Sequence, residues 1–286
     1  MSSASPLVSI YIPTKNRPAL LRRAVTSCLA QTYTQLEIII VDDGSDPDHW
    51  QEVQQLAQLD SRITLLRNAL SQGAPAARNK AIYAAAGRFI TGLDDDDEFT
   101  PERVHTFVQH ANLLDKYAAI CSGYTVQQKA GRYNYAVTAK KISLNKLLYA
   151  NYVGCQVFTL TSRLQDICGF APNMVSCQDY DTWIRLALAY GPIYRLAQPS
   201  YIVHQEHELG RISQSKQVVE GYTVLLKKYR SLMSSRQQRC QQLNLAANQG
   251  NLTAKGMLWL PLSEQWRFLK ILLRQKLNQI KKGTNS

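Results

Sequence analysis

The sequence predicts an α/β protein with a mainly parallel sheet covered by helices on both faces, followed by a basic helical tail. Three observations predict it. Strand-like apolar runs and helix-like patterns alternate four times in roughly the first hundred residues, as in repeated strand–crossover–strand units. Two acidic clusters, Asp42-Asp43 and Asp94 to Asp97, each follow directly on an apolar strand, the edge at which such sheets bind ligands. The net charge of +12 lies wholly in the last quarter, where residues 211–286 carry 14 Lys/Arg against Glu220 and Glu264, while residues 1–210 balance.

Val8-Ser9-Ile10-Tyr11-Ile12 reads as a strand ended by Pro13. Pro18 then opens a helix with Leu21, Ala24, Val25, Cys28 and Leu29 on one face. Leu36 to Val41 is apolar almost throughout, as in a strand buried on both sides, and stops at the turn signal Asp42-Asp43-Gly44-Ser45. A polar helix over about 48–59, a strand at 63–66, a helix over 73–86 and a strand over 88–93 follow, and Pro101 opens the next helix. Beyond 117 the pattern is less regular, with strands near 118–124 and 157–160 and a helix near 179–190. After 210 the chain reads as helical and basic.

Several function classes fall away. The cysteines at 28, 121, 155, 168, 177 and 240 have no metal-type spacing, and no basic n-region precedes the first strand, so reduced thiols in a cytosolic chain are expected. No window approaches eighteen uninterrupted apolar residues. No GxGxxG follows the first strand and no GxxxxGK[ST] occurs, which argues against dinucleotide and P-loop sites. A nucleic-acid-binding protein would explain the tail but not the acids at two strand ends, and no RRM, KH or zinc-finger signature is present. A nucleotidyltransferase would share the architecture but would carry a Gly-rich loop after the first strand.

Four consecutive acids resist joint ionisation in a cleft, so the run either lies solvated on a loop or holds a divalent cation. All-oxygen ligands suit magnesium or manganese, which leave positions open for phosphate oxygens. The loop Pro13-Thr14-Lys15-Asn16-Arg17-Pro18 supplies two cations suited to a nucleotide.

The ordered segments VSIYIPTKNRP (8–18), LEIIIVDDGS (36–45), GAPAARNKAI (73–82), GRFITGLDDDDEFTP (87–101) and QDYDTWIRLALAYG (178–191) resemble the family 2 glycosyltransferases of GT-A fold. The resemblance implies a catalytic domain over 1–210 and places Pro13, Lys15 and Arg17 in a nucleotide pocket. It implies a uracil contact for Asp43, with Asp42 equally readable as a turn cap, and places Arg78 near base and diphosphate. Asp94, Asp95 and Asp96 cover the DxD region: Asp96 with Asp94 would bind Mn2+ or Mg2+, while Asp94 or Asp95 would hold the donor's ribose or sugar. Asp97 and Glu98 read as solvated. Asp179 matches the catalytic base, although Gln178 stands where most members have a glutamate. His204 would complete the metal site, with His207 as its competitor. No QxxRW occurs, so a single sugar is expected to be added.

The resemblance therefore implies an inverting transferase that takes a UDP-sugar, UDP-glucose before UDP-galactose or UDP-GlcNAc, to an acceptor such as GlcNAc-diphosphate-undecaprenol. The setting would be O-antigen or related surface polysaccharide synthesis. The tail (211–286) carries Trp266, Leu269, Leu273, Leu277 and Ile280 at helical spacing, flanked by Arg267, Lys270, Arg274 and Lys281. It reads either as a helix lying on an anionic membrane surface at the inner face of a bacterial membrane or as a helix packed on the protein.

Overall fold

The computed structural model describes residues 5–206 and 216–283, the side chains of 216, 255 and 274–283 excepted. Two compact units are present. The first comprises Met1–Leu144, Val153–Asn173 and Asp179–Glu208, and the second Asn145–Tyr152, Met174–Gln178 and Leu209–Ser286.

The first unit is organised by a ten-stranded sheet. Its strands are β1 (Val8–Thr14), β2 (Leu36–Asp42), β3 (Ile63–Arg67), β4 (Phe89–Gly92), β5 (Glu98–Phe99), β6 (Ala119–Gln128), β7 (Gly131–Tyr135), β8 (Lys140–Ile142), β9 (Phe158–Leu160) and β10 (Ile193–His204). Their order is β3-β2-β1-β4-β9-β6-β10-β5, with β7 on β6 and β8 on β10. β3, β2, β1 and β4 are parallel neighbours, as are β6 and β10. β9 alone runs antiparallel between β4 and β6. The expected parallel sheet is therefore present, and β5, which the sequence reading missed, closes its far edge against β10.

The helices of this unit are α1 (Pro18–Leu29), α2 (Pro47–Ala57), α3 (Ala74–Ala84), α4 (Arg103–Gln109), α6 (Thr161–Asp166) and most of α7 (Gln178–Tyr190), with α5 (Leu144–Leu147) at the junction in the chain. Pro18, Leu21, Ala24, Val25 and Cys28 form the buried face of α1, the stripe its period predicts. β1 is buried at every residue and β2 at all but Glu37, which is why LEIIIV lacks the alternation of a half-exposed strand. Α-helix start signals were less exact at Pro101, since α4 begins two residues later at Arg103.

The second unit contains α8 (Lys216–Tyr229), α9 (Ser235–Asn248) and α10 (Leu262–Gly283). Its core gathers Cys240, Leu252, Met257, Leu260 and Phe268. Polar groups hold Asn145–Tyr152 within it. Gln237, Gln241 and Asn244 share one face of α9 and donate to the carbonyls of Asn145 (2.8 Å), Leu148 (2.8 Å) and Tyr149 (2.9 Å). Asn145 lies in the one-turn α5, whose carbonyls lack intrahelical partners, and Leu148 and Tyr149 follow just beyond its end. Glu264, fully buried, accepts from Lys146 Nζ at 2.6 Å, from Arg267 Nε at 2.8 Å and from the Tyr152 hydroxyl. No helix among the described residues is long and apolar enough to cross a membrane.

Candidate active site

The carboxyl ends of β1, β2 and β4 and the first turn of α7 carry most of the expected site residues. Pro13 is buried in β1 opposite Val41. The loop after it is clipped to the loop after β2: the Asn16 amide donates to Ser45 Oγ (2.8 Å), and the Asn16 side chain exchanges hydrogen bonds with Asp46. Lys15 is exposed on this loop, and Arg17 points into the acidic segment.

Asp42 and Asp43 have different jobs. Asp42 is buried, accepts the Ser45 amide (3.1 Å) and pairs with Arg67 Nε (3.3 Å), so it acts as a turn cap. Asp43 accepts four hydrogen bonds: Asn68 Nδ2 and the Gln72 amide on Oδ1, Ser71 Oγ and the Gly73 amide on Oδ2, all between 2.7 and 2.9 Å. Burial pushes its pKa up, but these four donors outweigh it and hold the carboxyl below its usual range. A base edge would reach Asp43 only by displacing one of them, and the Ser71 hydroxyl is the donor free to rotate. The adjoining Gly44 has φ +72°, and a Cβ there would lie 2.8 Å from the Ser71 amide nitrogen, so the turn requires glycine.

The acidic segment is not a uniformly solvated run. Asp95 is buried; Thr14 Oγ1 donates to it at 2.8 Å and Arg17 lies 3.5 Å away. Burial, then the neighbouring Asp96, raises its pKa to about 7. Asp96 faces Arg17 at 3.6 Å, and its carbonyl accepts from Arg23. Asp97 was expected in solvent; it is instead buried beneath the loop, accepting the His204 amide at 3.0 Å, and burial with its acidic neighbours raises its pKa strongly. Glu98 meets His204 Nε2 at 2.6 Å, and Glu206 meets Nδ1 at 3.2 Å. Both ring nitrogens of His204 thus already have carboxylate partners. His207 lies outside the described residues. Among the described residues no three His, Cys, Asp or Glu side chains form a ready metal cage.

Asp94 belongs to a second cluster. Arg78 NH2 donates to its Oδ1 at 2.9 Å and Gln156 Nε2 to the same oxygen at 3.2 Å. The Arg78 guanidinium stacks over Phe170, whose backbone is clasped on both sides by the Asn79 side chain. Asp179, in the first turn of α7, lies within the field of both Arg78 and Asp94. Burial is the main cause that lifts its pKa to about 6; the Tyr180 amide and Arg78 oppose the rise. The other acid of that turn, Asp181, is fully buried and committed to Arg185 at 2.8 Å. The two acids of this turn thus differ: Asp181 is committed to an ion pair, while burial raises the pKa of Asp179. Sequence reasoning missed Tyr11, Asn79, Gln156 and Tyr201, whose hydroxyl accepts the Asp94 amide. Tyr11 and Asn79 had a signal, being part of the VSIYIPTKNRP and GAPAARNKAI segments.

A mostly parallel sheet with carboxylates from separate loops at its carboxyl edge, and one more of raised pKa beside them, defines a transferase of the GT-A type. The family model described as "Glycosyl transferase family 2" matches residues 9–168, and the chain belongs to that family and is a glycosyltransferase. It is 36% identical over 250 residues to WcaA of Escherichia coli strain K12, named as a colanic acid biosynthesis glycosyl transferase, covering 84% of this chain and 88% of that one. It is 31% identical to WfgD of Escherichia coli, a UDP-Glc:alpha-D-GlcNAc-diphosphoundecaprenol beta-1,3-glucosyltransferase, over 72% of this chain and 83% of that one. The fold matches that of S. aureus TarS residues 1–349 in complex with UDP-GlcNAc, with TM-score 0.64, 17% identity, and coverage of 94% and 80% of the two chains.

Proposed function

We propose that this glycosyltransferase moves one hexose from a UDP-sugar, UDP-glucose first among them, to a polyprenyl-diphosphate-linked saccharide, inverting the anomeric centre to give a β-linkage. The observation that carries this reading is Asp179: a half-buried carboxyl with its pKa raised to about 6, in the field of Arg78 and Asp94. Such a group is ionised at neutral pH yet basic enough to take the proton of an attacking acceptor hydroxyl. As the acceptor oxygen bonds to the anomeric carbon from one face, the bond to the diphosphate breaks on the other, and no covalent intermediate is needed. Arg78 and Arg17 supply positive charge on the leaving-group side. The relatives' named substrates support the choice of donor and acceptor.

The acidic segment fits a divalent cation of the Mg2+ or Mn2+ class. Its donors are hard oxygens, and Asp95 and Asp97 are driven towards protonation by burial and neighbouring negative charge, a cost that a nearby cation relieves. Asp96 would hold it directly, leaving Asp94 to the donor's sugar, and His204 would join only by releasing Glu98 or Glu206. Bound there, the ion would neutralise charge on the departing diphosphate.

The second unit would rest on the anionic inner face of the bacterial membrane. Trp266, Leu269 and Leu273 lie exposed on α10, while Glu264 and Phe268 on its other side are buried. Leu258, Trp259 and Leu262 extend the same apolar character, with Trp259 72% exposed and Trp266 63%. Two exposed tryptophans on a basic unit suit the lipid–water boundary. Leu277 and Ile280 lie outside the described side chains.

The experiment is a donor screen. UDP-glucose, UDP-galactose and UDP-GlcNAc are each incubated with a GlcNAc-diphosphate-lipid analogue, with and without manganese. The reading expects UDP release and a β-linked disaccharide with one of them; release of pyrophosphate, or transfer with none, would overturn it.

A further inference from the structure

Gln156 is buried, and its amide is used at both ends. Its Oε1 accepts from the Tyr11 hydroxyl at 2.7 Å, and its Nε2 donates to Asp94 Oδ1 at 3.2 Å. Burial pushes the Tyr11 pKa up, so the hydroxyl stays protonated and the direction of the chain is set: Tyr11 donates to Gln156, and Gln156 donates to Asp94. Space for this relay is made by Gly92, which pairs with Tyr11 across β1 and β4. A Cβ on Gly92 would lie 2.3 Å from the Tyr11 ring and 2.5 Å from Gln156 Oε1. Three segments distant in sequence are thus shaped around one carboxylate oxygen.

The consequence is an asymmetric Asp94. Oδ1 takes both Arg78 and Gln156, and no protein donor among the described residues reaches Oδ2. The side chain is 30% exposed, just past the carboxyl end of β4, so a ligand can reach it, and Oδ2 is the oxygen left to accept. We propose that Gln156, seated by Tyr11 and Gly92, is a positioning residue that fixes Asp94 so that Oδ2 accepts a hydroxyl of the donor's sugar. Gln156 does not itself touch the donor; it determines where the one free oxygen stands. Arg78 alone would not do so, because a guanidinium can slide to a bidentate grip on both carboxylate oxygens. The second donor on Oδ1 makes that rotation unfavourable. The inference rests on the UDP-sugar reading of the site.

The test compares nucleotide with sugar nucleotide. UDP, UDP-glucose, UDP-galactose and UDP-GlcNAc are titrated calorimetrically, in manganese, into the wild type and into Gln156→Met, Tyr11→Phe, Asp94→Asn and the Gln156→Met/Asp94→Asn double variant. Thermal unfolding of each reports the fold. Gln156→Met should bind UDP as the wild type does and lose about tenfold in affinity for the sugar nucleotide the wild type prefers, the order expected for one hydrogen bond to a charged group. Tyr11→Phe should move the same way by less. The double variant should bind no worse than Asp94→Asn alone, because the two residues act through one oxygen. Loss for UDP and sugar nucleotide in step, no loss for either, or additive losses in the double variant would overturn the assignment. A wild type that binds UDP but none of the three sugar nucleotides would instead overturn the donor reading, and the inference with it.

Discussion

At the scale of single residues, the site is a set of carboxylates separated by their surroundings. Asp179 is predicted to act as base, so turnover should fall as pH drops through about 6 and level off above it, measured as kcat against pH. Asp179→Asn should lower kcat by about two to four powers of ten while UDP binding is kept. The same change should stabilise the fold. A carboxyl whose folded pKa lies above its unfolded value is penalised once ionised, fully so above about pH 6 and not at all below its unfolded pKa. The rise in Tm should therefore be present at pH 7.5 and absent near pH 3; a loss of Tm at neutral pH would contradict it. Asp96→Ala is expected to abolish transfer and to match the effect of excess EDTA on the wild type, with the far-UV spectrum unchanged. Full turnover in EDTA would remove the cation from the scheme.

Elements explain what could be read in advance and what could not. β1, β2 and the buried stripe of α1 were legible because burial on both faces and a 3.6 period leave direct marks in the order of residues. Asp43 was legible as a special residue, but its four protein donors were not, since three of those four residues lie in the irregular stretch 71–73 and one at 68. Asp97 was misjudged because a run of acids looks solvated until the strand that covers it, β10, is placed against β5. Gln156 gave no signal: it sits in a stretch without period, and Tyr11 reads as one more core residue. α9 was least legible of all, because beside Cys240, which joins the core of the second unit, its buried residues are polar, Gln237, Gln241 and Asn244, and serve carbonyls. Gly92→Ala should therefore cost more than a loop glycine would. Its methyl meets the Tyr11 ring, and a drop of about 1–3 kcal/mol in urea unfolding is expected, together with weaker donor binding.

At the scale of the whole molecule, the charge imbalance and the exposed tryptophans meet in the second unit. Lys270, Arg274 and Lys281 changed to Gln should weaken binding to vesicles containing anionic lipid by roughly 1 kcal/mol per charge, with the effect fading in high salt. Trp259→Ala with Trp266→Ala should weaken it at any salt. Arg267 is unsuited to this test despite its place in the basic flank, because it neutralises the buried Glu264. Binding indifferent to both sets of changes and to salt would leave α10 as an ordinary surface helix. The second unit also includes Asn145–Tyr152 and Met174–Gln178. The chain passes from the first straight to Gly154 and Gln156, and from the second straight to Asp179. A gene shortened to its first 210 codons would thus leave the carbonyls of Asn145, Leu148 and Tyr149 and the cation of Lys146 without the partners that α9 and α10 provide. Any other tail grafted in its place would have to meet the hydrogen-bonding demands of Asn145–Tyr152, a stretch laid down well before the graft begins.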